Sequence, residues 1–163
     1  MFSQEEKEYF MKEALKEAKK AEAIDEVPIG AVIVKDHEII ARGYNQRETS
    51  QEAVSHAEII AIKEANQALN NWRLEDCALF VSLEPCPMCS GAIIMARIPY
   101  VYYGAFDPKG GTVGSLMNLL EDNPFNHQVS VEKGILEEES SQLLKDFFKK
   151  LRRKKKERKS KID

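Results

Sequence analysis

Cysteine is scarce in this sequence, with three in 163 residues. That number is too small and too odd for the disulfide framework of a secreted scaffold. Long apolar runs are missing too: no stretch approaches the roughly 20 residues of a membrane span, so no membrane partner is expected. The opening MFSQEEKEYF is charged and helix-patterned, unlike a secretory signal, and a cytoplasmic location is the expectation. Internal repeats are also lacking. The simplest organisation is one domain, large enough to bury a core without disulfide or metal staples.

Net charge is only −3, but it is unevenly spread. Residues 149–163 carry ten Lys/Arg against Glu157 and Asp163, a net of +8, and residues 1–148 carry 14 basic and 25 acidic residues, a net of −11. An acidic body with a basic end points to a polyanionic partner, or simply to a solvated helix end. The expected division is a domain over 1–153 and a basic tail over 154–163.

Hydrophobic period places the elements. Ser3 and Glu6 form a capping box before Phe10, Ala14, Ala18 and Ala21, which predicts a helix over about 4–22. IGAVIVK and EIIARGY flank Asp36-His37 as a β-hairpin. Ser55 and Glu58 fit a second capping box, opening a helix faced by Ile59, Ile62, Ala65 and Leu69. CALFVSL (77–83) is a near-continuous apolar run, as in a strand buried on both faces. A short helix over MCSGAIIMAR, a strand over 100–106, a Gly-rich loop over 107–115 and a helical turn over 116–120 are expected next. HQVSVEKG reads as a last strand and 136–156 as a last helix. Alternation of strands and helices after a hairpin predicts an α/β fold, a three-layer α/β/α arrangement around a mixed sheet of about five strands.

The chemistry concentrates where the buried strand ends. Cys86-Pro87-Met88-Cys89 follows Leu83 directly, and ligand sites in such sheets favour strand carboxyl ends. Pro87 suits the first helical position, which makes Cys86 the N-cap and puts Cys89 in the first turn, where backbone N–H groups favour thiolate. His56 lies 30 residues upstream of Cys86. One His and two Cys leave the fourth tetrahedral position to water, as in a catalytic rather than a structural zinc site. Cys77 begins the strand that runs away from Cys86, roughly 20 Å off at about 3.3 Å per residue, and reads as core. His37 sits in the hairpin turn and His127 in a loop, and both read as surface residues. One Zn²⁺ per chain is the expected cofactor.

The pattern His56-Ala57-Glu58 with Pro85-Cys86-Pro87-Met88-Cys89 resembles the cytidine deaminase-like superfamily. EVPIGA (26–31), RGYNQRET (42–49), NWRL (71–74), LEPCPMCSGA (83–92), YGAFDPKGG (103–111), GSLMNLL (114–120), FNH (125–127) and FFKKLR (147–152) narrow it. Together they resemble the bacterial tRNA-specific adenosine deaminases, from the first helix to about Arg153. Gly43-Tyr44 and Thr112-Val113 depart from that family's usual residues, and neither removes a ligand.

The resemblance implies hydrolytic deamination of the wobble adenosine to inosine in a tRNA anticodon stem-loop, that of an arginine tRNA, by a homodimer. It gives Glu58 the proton transfers, in competition with its capping role, because a ligand and a carboxylate two residues apart converge only near a helix start. Asn45 would hydrogen-bond the flipped nucleoside, or else serve a turn. Gly30 would let backbone approach the base, or merely relieve crowding in a strand. Ile29 would line the pocket, and the Ala57 N–H would reach the ring or oxyanion. Asp107 and Lys109 would lie along the RNA, Phe148 would meet a base while Phe147 packs, and Arg152 would bind phosphate. Two other readings stand beside this one: a deaminase of a free base or nucleotide, and a zinc-stabilised RNA-binding module without chemistry.

Overall fold

A computed structural model describes residues 1–162. Helix α1 (Gln4–Ala23) starts at the expected capping box: Ser3 Oγ accepts from Glu6 N–H, and Glu6 Oε1 accepts from Ser3 N–H, both at 3.1 Å. Strands β1 (Gly30–Lys35) and β2 (Glu38–Tyr44) form the hairpin. Asp36 and His37 both take left-handed backbone angles, φ 51° and 61°, as a two-residue turn matched to strand twist requires. Helix α2 (Arg47–Ser50) is a single turn that the sequence pattern did not reveal. Then follow α3 (Ala57–Leu69), β3 (Cys77–Leu83), α4 (Pro87–Met95), β4 (Tyr100–Ala105), β5 (Ser130–Lys133) and α5 (Glu137–Ile162).

The sheet is mixed, in the order β2-β1-β3-β4-β5. β1 runs antiparallel to β2 and β3, while β3, β4 and β5 are parallel. Alternate residues of each central strand enter opposite cores. Val32, Val34, Ala78, Phe80 and Tyr102 meet Phe10, Met11 and Ala14 of α1. Ala31, Ile33, Leu79, Val81, Val101 and Tyr103 meet Ala57, Ala61, Ile93 and Ile94 of α3 and α4. Phe80 and Tyr102 stack with ring centroids 4.5 Å apart. Cys77 is buried in the second core, as its place in the strand predicts.

Register decides where a site can form. Ala31 pairs with Val81, Gly30 with Tyr44, and Leu83 with Ala105. The chain entering β1, the chain leaving β2, and the exits of β3 and β4 therefore share one edge. Ile29, Asn45, Glu84 and Phe106 are gathered there, although up to 77 positions separate them in the sequence.

Two expectations are corrected. Residues 116–120 form no helical turn. Leu119 N–H donates to Thr112 O and Gly114 N–H to Met117 O, both at 2.8 Å, so the segment folds back on the preceding loop and buries Leu120. In addition, the last helix, expected over 136–156, runs from Glu137 to Ile162 as α5. No described helix is long and apolar enough to cross a membrane.

Candidate active site

Two helix N-termini converge at this edge. Cys86 is the N-cap of α4 and Pro87 its first residue, so Cys89 falls in the first turn and is fully buried. His56 is the N-cap of α3, and neither N-cap side chain makes a capping hydrogen bond. Both are thus free to face each other. His56 Nδ1 lies 3.6 Å from the sulfur of Cys86 and 3.6 Å from that of Cys89.

These separations test whether a metal fits. Metal–nitrogen bonds of about 2.0–2.1 Å and metal–sulfur bonds of about 2.3 Å at a tetrahedral angle put N and S roughly 3.6 Å apart. The donor set is also that of zinc: two thiolates and an imidazole. Among the described residues this is the one cluster of metal-ligating side chains close enough to share an ion. Hydrogen bonds from Cys89 and then His56, against burial, hold the Cys86 thiol down at about 4. The Cys86 hydrogen bond in turn raises His56. A divalent cation would supply the positive charge that these shared protons supply.

Glu58 completes the group. It is 4% exposed, and burial pushes its carboxyl up to about 7. The second capping box does not form. The helix begins one residue later than its pattern suggests, and Ser55 Oγ donates instead to Glu52 Oε2 at 3.2 Å. Glu58 is therefore the second helical residue rather than the third and cannot reach back to the Ser55 amide as a capping-box acid would.

A cleft of about 650 Å³ opens above this centre. Ile29, Asn45, Ala57, Asp107, Lys109, Phe148 and Arg152 all line it, with His56, Glu58 and Cys86. Asn45 is partly committed: its Nδ2 donates to Val27 O and its Oδ1 accepts from Arg47 N–H, both at 3.2 Å. One amide hydrogen and one lone pair remain. Asp107 Oδ1 accepts from the N–H groups of Lys109 and Gly110 at 3.1 Å, so this side chain builds the loop it belongs to. Phe147 is 9% exposed and Phe148 41%, the split expected of neighbours on a helix.

Gly30 is not among the residues that line the cleft, and a β-carbon there would collide with the Ala14 carbonyl and the Ala18 amide. The close approach it permits is to α1. Gly43 does the same against Ala57 and Ala61 of α3.

Glu84 was not singled out beforehand. It is 2% exposed and accepts from the N–H groups of Asp107, Val113 and Ser115 at 2.9–3.0 Å, and from the Ser115 hydroxyl. Burial works to raise its carboxyl, and the hydrogen bonds outweigh it and hold it below the ordinary value. Thr112 donates to Pro85 O at 3.1 Å and pairs with Ser90 at 2.8 Å, which ties the same loop to α4. An acid ending an otherwise apolar strand, directly before Pro-Cys, was the available signal. Val27, Arg47, Phe106, Leu144 and Lys145 also line the cleft without having been anticipated.

Replacing Glu84 with Gln turns one acceptor oxygen into a donor that faces N–H groups. The expected loss is about 2–3 kcal/mol, from buried donors left unpaired. A urea midpoint unchanged from wild type would refute the anchoring role. Because the folded-state value is lowered, this contribution is complete above the ordinary carboxylate range and is lost as pH falls through the folded value.

Fold and donor cluster together are those of the cytidine deaminase-like hydrolytic deaminases. The model of the MafB19-like deaminase family matches residues 5–152. The tRNA-specific adenosine deaminase of Bacillus subtilis (strain 168) is 58% identical over 149 residues, covering 91% of this chain and 92% of that protein. That of Aquifex aeolicus (strain VF5) is 51% identical over 146 residues, covering 90% and 96%. A solved structure from work on A-to-I editing by tRNA:A34 deaminases superposes with a TM-score of 0.80 at 46% identity, covering 83% of this chain and 99% of that one. This chain belongs to the tRNA-specific adenosine deaminase family.

Proposed function

We propose that the protein hydrolyses the wobble adenosine of a tRNA anticodon to inosine, with Zn²⁺ held by His56, Cys86 and Cys89. The observation that carries this reading is the shape and lining of one cleft. Its more buried lining is His56, Cys86 and Glu58, with Cys89 of the donor cluster behind it, and its exposed lining is Lys109, Lys145, Phe148 and Arg152. A free base would fill the buried part and leave the cationic and aromatic exposed lining without a task.

The metal would supply an activated water to attack adenine C6. Glu58 would take one proton from the water and place it on ring N1, then take the second from the hydroxyl added at C6 and deliver it to the departing ammonia. Water and adenosine become inosine and ammonia, and the carboxylate returns to its starting state. The free hydrogen and lone pair of Asn45 hold the nucleoside, Ile29 packs against it, and the Ala57 N–H sits in a helix first turn where donors have no partner within the helix. Phe148 stacks on a neighbouring base, and Lys109 and Arg152 meet phosphate.

Arginine tRNA as the substrate, a cytoplasmic location and a homodimer belong to the same proposal. The dimer draws support from α4, where Ile93 and Ile94 are core but Met95 is 68% exposed.

The test uses zinc-loaded protein and an anticodon stem-loop RNA with adenosine at the wobble position. Free adenosine, guanine and cytidine are incubated separately, and products are read by mass. Inosine from the RNA alone is expected. Product from a free base would favour a small-molecule deaminase, and RNA binding without product would favour a module without chemistry.

A further inference from the structure

The cleft-lining residues of α5 are Leu144, Lys145, Phe148 and Arg152. Their three- and four-residue spacings put them on one helical face. Beyond Arg152 the helix continues with every described residue exposed, so nothing in the fold accounts for what that face presents. At about 100° per residue, Lys155 and Lys159 fall within roughly 20° of Phe148, with Lys156 beside them. The acids of this stretch, Asp146 and Glu157, fall on the far side by the same count, roughly 160–180° away. Lys154 points elsewhere, toward Asp25 at the end of α1, 3.4 Å away. The basic residues therefore occur all round the helix while the acids are confined to the far side, and the acid-free side is a continuation of the cleft wall.

We propose that Lys155, Lys156 and Lys159 form a phosphate-binding stripe for the stem of the RNA whose loop nucleotide enters the cleft. This rests on the RNA-editing reading above and adds where the rest of that RNA lies. Arg152 to Lys159 spans about 10 Å of helix at 1.5 Å per residue, comparable with two or three phosphates at about 3.4 Å per strand. Continuity selects the ligand: Arg152 lies at once in the cleft and at the head of the stripe, so one polyanion touches both. A tail acting only by total charge would have no preferred face.

The test compares wild type, Lys155→Gln/Lys159→Gln, and Lys150→Gln/Lys161→Gln on the opposite face. Gln keeps helix propensity close to that of Lys, and each pair removes the same charge. KM and kcat for the zinc-loaded enzymes are measured on the anticodon stem-loop and on a seven-nucleotide loop RNA without a stem, across a salt series. The stripe pair is expected to raise KM for the stem-loop about tenfold and to reduce the salt slope by about 1–2, with kcat at saturation unchanged. The opposite pair shifts KM less than about twofold, and the stemless RNA does not distinguish the three proteins. Equal losses in both pairs, no loss in the stripe pair, or a matching loss on the stemless RNA would each overturn the stripe while the editing reading stands. A wild-type enzyme that forms no inosine from the stem-loop overturns both.

Discussion

Glu58→Gln is expected to keep the fold and the metal and to lose roughly 10²–10⁴ of turnover, the range of a positioned acid–base group. Gln has nearly the same volume as Glu, so the site, 4% exposed, gains no cavity. It also removes the charge that burial penalises, the cause of the carboxyl's rise to about 7. Thermal stability should therefore hold or increase slightly. The competing role makes the opposite forecast. In a capping box Gln serves as well as Glu, so a structural Glu58 would leave every measurement unchanged. The structure already weakens that alternative, since His56 rather than Ser55 is the N-cap. Metal content, melting temperature and inosine formation from the stem-loop, measured on one preparation, decide the matter. Turnover near wild type would remove Glu58 from the mechanism.

What could be read before folding was what is local. Near-continuous apolar runs mark β1, β3 and β4, and Pro87 at a first helical position marks the start of α4. Since His56 and Cys86 are helix N-caps and Cys89 lies in a first turn, the same local rules pointed to the cluster that these three side chains form. Failures arose where partners are distant. Glu84 acts on N–H groups 23 to 31 residues ahead, and its pairing depends on how that loop folds back. Gly30 had two open readings, and only the position of α1 chose between them. At Ser55 a one-residue shift of the helix start dissolved a motif that was formally complete. The shift is what frees His56 and Glu58 to face the cleft. In α5, hydrophobic period ends near Phe148, so its continuation had to come from helix propensity alone, and the meaning of its acid-free face was invisible until the cleft fixed which face was which.

Cys86→Ser separates the metal from the scaffold, because the two should respond with opposite signs. Cys86 is the N-cap of α4 with φ −78° and ψ 175°, and its sulfur makes no capping hydrogen bond. Serine is among the best N-caps and adds about 0.5–2 kcal/mol over residues that cannot cap. Its hydroxyl is far less readily ionised than the thiol, which is held down at about 4, and it is a poor zinc donor. With a chelator present, the variant should therefore melt at or above the temperature of the wild type. With zinc in excess the order should reverse, since only the wild type gains the stabilisation of tight binding, about 4 kcal/mol at a thousandfold excess over Kd. Deamination of the stem-loop should fall to background in the variant under both conditions. Such a crossing of the melting curves cannot come from a simple packing defect, which would lower both measurements together. Equal stabilisation of both proteins by zinc would place the ion elsewhere. Full turnover in the variant would mean that the Cys86 sulfur is not one of its ligands.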